Sequence, residues 1–177
     1  MKSILLRIRN IFLRPRNEWQ VIKQEEATYG KLLRGYAAAL AAVPPIAAVA
    51  ERFIFNRGIV SNAVHSPFGY VIASNVIWYL VILVNLIITG AVITAVSDRK
   101  GTGWLGVRGL KLAIYSFTPL FLVSSLIILP RLNWFIYGAI LYSVYLLWLG
   151  IRSLFEVEQQ RAAWYTAASF TVSGLIL

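Results

Sequence analysis

The chain has 177 residues, 59% of them hydrophobic and 14% charged, with a net charge of +10 and a mean hydropathy of +0.70. Soluble domains carry about a quarter charged residues, so the composition is that of a membrane protein without room for a sizeable soluble domain. It has no cysteine, one histidine (His65) and one methionine, which removes disulfides, thiolate chemistry and the usual haem and metal ligands.

Residues 1–16 are amphipathic. Ile4, Leu5, Ile8, Ile11 and Phe12 share an arc of ~120° on a helical wheel. Lys2, Arg7, Arg9, Arg14 and Arg16 flank that arc, and Leu6 and Leu13 lie off its edges. Two placements fit: a helix in the membrane interface with its arginines on lipid phosphates, or one packed on the protein's own loops. Pro15 ends this helix, and Asn17-Glu18-Trp19 opens a second, with an acidic first turn and Trp19 suited to the headgroup level. Residues 1–30 therefore read as a cytoplasmic interfacial segment.

Residues 31–177 read as five transmembrane helices, at about 32–50, 69–96, 111–129, 133–151 and 162–177, so the fold class is all-α and polytopic. Nineteen uncharged residues separate Lys111 from Arg131 and twenty separate Arg131 from Arg152. At ~1.5 Å per residue each run covers roughly the ~30 Å of bilayer hydrocarbon. Span one is alanine-rich, and Gly35/Ala39, Ala37/Ala41 and Ala38/Ala42 are small pairs four apart that allow close helix approach. Pro44-Pro45 should bend it, as a packing feature or as part of a solute path.

Glu51 to Pro67 is expected to be a loop, turning at Asn56-Arg57-Gly58. In span two, Asn75, Asn85, Thr89 and Thr94 are polar, with Trp78, Asn85 and Thr89 on one face. These suit bonds to a neighbouring helix or a path for a neutral solute. Ser97 to Gly109 reads as a flexible glycine-rich connector with Trp104 at the interface; it lacks the spacing of a phosphate-binding loop. Thr118-Pro119 should bend span three, with hydroxyls satisfying the freed backbone. The fifth run stops at Leu177 after 16 uncapped residues, which implies an abbreviated span or a natural chain that continues.

Fourteen of the seventeen Lys and Arg fall in residues 1–34, 97–111 and 152–161. The positive-inside rule then puts the N-terminus in the cytoplasm and, with five spans, the C-terminus on the opposite side. No charge falls in the expected span cores, which leaves no site for a proton relay or voltage sensor. Catalytic dyads and triads also lack their residues, so no enzyme and no cofactor is expected. The basic groups adjoin apolar spans and form no platform for nucleic acid. Anionic lipid and other membrane proteins are the expected partners.

Three stretches carry a resemblance. Arg14-Pro15 with Trp19, Val21-Ile22 and Glu25 resembles the lead-in of bacterial Yip-domain (Rab/Ypt-interacting-like) inner-membrane proteins. Tyr115-Ser116-Phe117-Thr118-Pro119-Leu120-Phe121-Leu122 is similar to their YxxTPLFL signature, and Tyr145-Leu146-Leu147-Trp148-Leu149-Gly150-Ile151 to the end of their fourth span. The resemblance implies a five-helix bundle in the bacterial cytoplasmic membrane. Eukaryotic relatives bind prenylated Rab GTPases. Their DLYGP motif is represented here only by Tyr29-Gly30, so Rab binding is not carried over. The expected function is a non-enzymatic membrane-organising or partner-binding module. The alternatives are an accessory subunit of a larger assembly and a transporter or channel for a small neutral solute. The expected lipid contacts are Arg7, Arg9, Arg14, Arg16 and Trp19, and the expected packing residues are Gly35, Ala39, Pro44, Pro45, Asn85, Thr89, Thr118 and Pro119.

Overall fold

A computed structural model describes residues 4–55, 68–97, 106–132 and 134–176, and among these the secondary structure is helical without strands. His65, the Asn56-Arg57-Gly58 turn, Asp98 and Trp104 lie outside the described residues. Helix α1 (Ile4–Leu13) and α2 (Pro15–Gln24) form a hairpin that breaks at Arg14, because Pro15 has no N–H to continue α1 and suits the first turn of α2. Helix α3 (residues 29–55), α4 (Phe68–Ser97), α5 (residues 107–128) and α6 (Phe135–Phe155) follow, and α7 (Gln159–Ile176) closes the bundle. Helices α3 to α6 are long and apolar enough to cross a membrane. Helix α7 opens with Gln159, Gln160 and Arg161 and does not meet that composition; it packs against α4 and α6.

Proline sets the shape of α3 and α5. Pro44 and Pro45 withdraw the amides that would bond the carbonyls of Leu40 and Ala41, and α3 breaks at Ala42 before continuing as Val43–Phe55. In α5 the break falls at Phe117, just before Pro119, and the Thr118 hydroxyl bonds the Ile114 carbonyl at 3.1 Å. Beyond Val123 the helix tightens to 3₁₀ over Ser124–Ile128. Ser124 and Ser125 there bond the carbonyls of Phe121 and Leu122 at 2.6 and 2.7 Å. The α-helical bonding is thus interrupted near both proline sites where a bend is expected.

The helix bounds move several charges. Helix α3 runs past Ala50 to Phe55, so Glu51 is helical, only 1% exposed, with its Oε1 unpartnered. It shares a buried face with Ala47 and Ala48, and the Val43–Phe55 segment packs on the 3₁₀ turn of α5. Helix α5 starts at Val107 and draws Lys111 inside. Glu51, expected in the loop, is instead helical, and both it and Lys111 are covered by a neighbouring helix at the ends of their spans.

The small pairs of α3 divide. Ala37 and Ala41 are fully buried, whereas Gly35 and Ala39 face outward and a Cβ on Gly35 would meet nothing within 4 Å. The physical reason is a π-helical stretch, Leu32–Ala37, whose wider winding rotates the face an α-helical wheel assigns. Gly35/Ala39 is therefore not a packing pair within the chain.

The closest helix approach lies elsewhere. A Cβ on Gly109 would sit 2.2 Å from the Gly90 carbonyl oxygen, and one on Gly90 would sit 3.0 Å from the Leu110 Cα. The end of the presumed glycine connector is thus a contact of α4 and α5 backbones. Gly109→Ala should lower stability in detergent by ~1–3 kcal/mol, because backbone rather than a movable side chain opposes the new methyl. Gly138→Ala, with nothing within 4 Å, should not. Thermal unfolding of the two variants checks this; equal midpoints would contradict it.

Candidate functional site

The N-terminal hairpin docks where α3 and α5 begin and α6 ends. Helix α2 fixes it first. Trp19 and Ile22 lie one turn apart on a single face, and both are buried. The Trp19 ring fits over Gly150 of α6; a Cβ there would lie 2.8 Å from the ring and 2.3 Å from Leu112 Cδ2. Glu18 and Glu25 flank Ile22 at helical spacing, so the same face carries two carboxylates inward.

Those carboxylates meet Arg7 of α1. Its guanidinium donates to Glu18 Oε1 at 2.7 Å and to Glu25 Oε2, and only 3% of the residue is exposed. Asn10 donates to Glu18 Oε2 at 3.0 Å. The guanidinium carbon also sits 5.4 Å from the ring centroid of Tyr115 in α5, within cation–π range. Tyr115 meets Tyr36 of α3 edge-on at 4.9 Å, and the Tyr36 and Thr118 hydroxyls are 3.2 Å apart. The Tyr142 hydroxyl of α6 donates to the Ile11 and Phe12 carbonyls at the end of α1, at 3.0 and 3.1 Å.

Lys111 completes the cluster. Its ammonium donates to the Ile22 carbonyl at 2.9 Å and to the Glu25 carbonyl. Ile22 belongs to the last turn of α2, whose carbonyls have no intrahelical donor and carry the negative end of the helix dipole. A lysine from one of the membrane-length helices thereby caps a helix of the N-terminal hairpin. Arg7 and Lys111 balance Glu18 and Glu25, so the cluster is neutral as a whole. Outside it, Lys23 pairs with Glu156.

The other face of α1 is apolar. Leu5 is 78% exposed and Leu13 72%, with Leu6 and Phe12 also exposed and Arg9 on the same side. The expected apolar arc splits: Ile11 turns inward beside Arg7, while Leu5 and Phe12 turn outward and are joined by Leu6 and Leu13. Arg7 and Trp19 consequently leave the lipid-facing set, because their side chains fill the protein interior. Arg9, Arg14 and Arg16 remain exposed.

A family model of the Yip1 domain matches residues 9–177. The chain belongs to the Yip1-domain family. Neither the search of curated proteins nor that of solved structures gave a match. The Yip1-domain family is one of membrane proteins and is not known for enzymes. In this member the YxxTPLFL stretch supplies Tyr115 under Arg7 and Thr118 beside Tyr36. The fourth-span stretch supplies Gly150 under Trp19.

Elsewhere the polar residues join helices. Asn85 of α4 donates to the Ser173 carbonyl of α7 at 2.8 Å and accepts from the Ser173 hydroxyl at 2.8 Å; Thr89 donates to Asn85 Oδ1 at 3.2 Å. Asn75 donates to the Val71 carbonyl of its own helix. Pro44, Pro45, Thr118 and Pro119 are buried. Sequence reasoning missed Glu18, Glu25, Lys111, Tyr142 and Gly150 as members of the site. The signal available was the stripe Glu18-Ile22-Glu25, in which an apolar residue lies between two carboxylates on one face.

Removing one partner of a buried pair strands the other charge and costs ~3–5 kcal/mol. Arg7→Gln and Lys111→Met should each release the hairpin, and the loosened backbone should then be cut rapidly by trypsin after Arg16 and Lys23, whose side chains are already exposed. Breaking the exposed Lys23–Glu156 pair with Glu156→Gln should change little, since exposed pairs contribute ~0–1 kcal/mol. Cleavage of Arg7→Gln at the wild-type rate would show that the cluster does not hold the hairpin.

Proposed function

We propose that this Yip1-domain protein is a non-enzymatic membrane-organising module. Its N-terminal hairpin seats on anionic lipid at the cytoplasmic leaflet, with five spans and the C-terminus on the opposite side. A bacterial cytoplasmic membrane is the expected setting. One observation carries the reading: α1 is inverted, with Arg7 inward and Leu5 and Leu13 outward. A helix exposing leucines beside arginines suits the acyl–headgroup boundary, where each basic residue contributes about 1 kcal/mol to anionic surface binding. The Asn85–Ser173 bonds pin α7 to α4 and support a fifth crossing. Against the rival transporter reading, Asn75 and Asn85 each donate one amide proton to a protein carbonyl, as packing residues do.

The absence of native cysteine permits one clean test. Leu13→Cys carrying an environment-sensitive dye, in the full chain in phosphatidylglycerol-containing liposomes, should be quenched by lipid-bound quenchers and shielded from aqueous iodide. Replacing Arg9, Arg14 and Arg16 by Gln should reduce that shielding in anionic but not in zwitterionic liposomes. Full iodide access in the parent protein would reject the seating.

A second reading, an accessory subunit, is favoured by the outward Gly35/Ala39 face, which would let a helix of another membrane protein approach closely. Stoichiometric partners recovered in mild detergent should then be lost on Gly35→Leu with Ala39→Leu. Recovery unaffected by those changes would remove this face from the interaction.

A further inference from the structure

On a straight helix Arg9 and Arg14 would point about 140° apart, since five residues are well over one turn. They nevertheless line one hollow of about 300 Å³ together with Asn10 and Leu13. Proline chemistry brings the two together. A residue before proline is disfavoured in the helical region, and Arg14 accordingly sits at φ −141° and ψ 58°. That departure turns its side chain out of the helical array and beside the last turns of α1.

The hollow has the electrostatics of an anion site. Its lining carries two guanidiniums and no carboxylate. Among the described residues no carboxylate pairs with Arg9 or Arg14; Glu18 accepts from Arg7 and Asn10, and Glu25 from Arg7. The last carbonyls of α1 would oppose an anion, but they are already met. The Arg14 N–H bonds the Asn10 carbonyl at 2.8 Å, and the Tyr142 hydroxyl serves those of Ile11 and Phe12. Leu5, Arg9 and Leu13 follow at four-residue spacing, so one stripe of the helix surface sets a cation between two largely exposed leucines. A free anion would leave those leucines uncovered, whereas a lipid brings a phosphate and hydrocarbon in one molecule.

We propose that Arg9 and Arg14 form a discrete site for the phosphomonoester headgroup of a membrane lipid. Guanidinium forks take phosphate oxygens two at a time. Two forks match the roughly −1.5 to −2 charge of a phosphomonoester better than the single charge of a phosphodiester. Leu13, on the wall of the same hollow, lies against the start of the acyl chains. The proposal rests on the seating of the hairpin on anionic lipid and narrows it. Surface attraction alone counts charges, but this site distinguishes headgroups and leaves out Arg16, which does not line the hollow.

The test uses the full chain in phosphatidylcholine nanodiscs, with Leu6→Cys carrying bimane as the sole thiol label. Phosphatidic acid or phosphatidylglycerol with brominated acyl chains is added at matched surface charge. Half-maximal quenching should need roughly fivefold less phosphatidic acid, the ratio that ~1 kcal/mol for one further cation contact gives. Arg9→Gln and Arg14→Gln should each remove that preference. Arg9→Lys with Arg14→Lys should remove it too, because the charge stays while the fork is lost. Arg16→Gln should weaken quenching by both lipids and leave the preference in place. Equal quenching by the two lipids in the parent protein would overturn the site while leaving the seating intact. No quenching by either would reject both. Relief of quenching by inorganic phosphate at the lipid's own concentration would make the occupant a free anion and overturn the lipid assignment.

Discussion

Hydrocarbon around the bundle forces its polar groups to find partners inside. A charge or hydroxyl turned to lipid has no water to bond, and an unpaired one costs several kcal/mol. Some of the described polar side chains satisfy this constraint on their own helix, as Asn75 and Ser124 do, and others by reaching a neighbouring one. Arg7 reaches α2 and α5, Lys111 reaches the carbonyls of α2, Tyr36 meets Thr118, and Asn85 meets Ser173. The hydrocarbon also explains the exterior. Val84 and Leu141, on helices of membrane-spanning length, are exposed because the surrounding medium is as apolar as they are. With no hydrophobic drive between helices, association rests on close packing and on such bonds.

Helix α5 occupies the centre of this scheme. Leu110 through Pro119 is continuously buried, and the segment touches α3, α4 and α6. Its two ends are served differently. At the hairpin end Gly109 brings its backbone against Gly90 and frees the neighbouring volume for Leu110 and Lys111. At the far end Ser124 and Ser125 return their hydroxyls to the chain, which lets the helix tighten beneath the continuation of α3 without abandoning carbonyls to lipid.

Much of this was legible in the sequence, and the parts that were not share a cause. The spans from α3 to α6 follow from uncharged runs of membrane length, and both bends follow from proline chemistry alone. Arg7 could not be separated from Arg9, Arg14 and Arg16, because its partners, Glu18, Glu25 and Tyr115, are brought to it only by folding. Lys111 looked like a span boundary because a charge count treats every lysine near a membrane as solvated. Gly109 looked like a linker because a glycine that permits contact and one that permits motion are the same letter. The π-helical stretch holds no proline, and its one glycine, Gly35, does not distinguish π from α winding, yet the stretch decides that Ala37 and Ala41 rather than Gly35 and Ala39 meet the core.

The formal neutrality of the Arg7–Glu18–Glu25–Lys111 cluster bears on how a charged hairpin can dock on an apolar bundle. Arg7 meets both carboxylates and Lys111 meets two backbone carbonyls of the α2 end, so each charge has a local partner and the cluster can lie at the rim of the apolar bundle without requiring water or headgroups. That releases the remaining arginines of the segment to face outward. Were Arg7 alone buried, its charge would draw lipid phosphate or water into the gap between hairpin and bundle, and Trp19 could not close over Gly150. The inward charges therefore settle the docking, and the outward leucines and arginines settle what the docked surface presents.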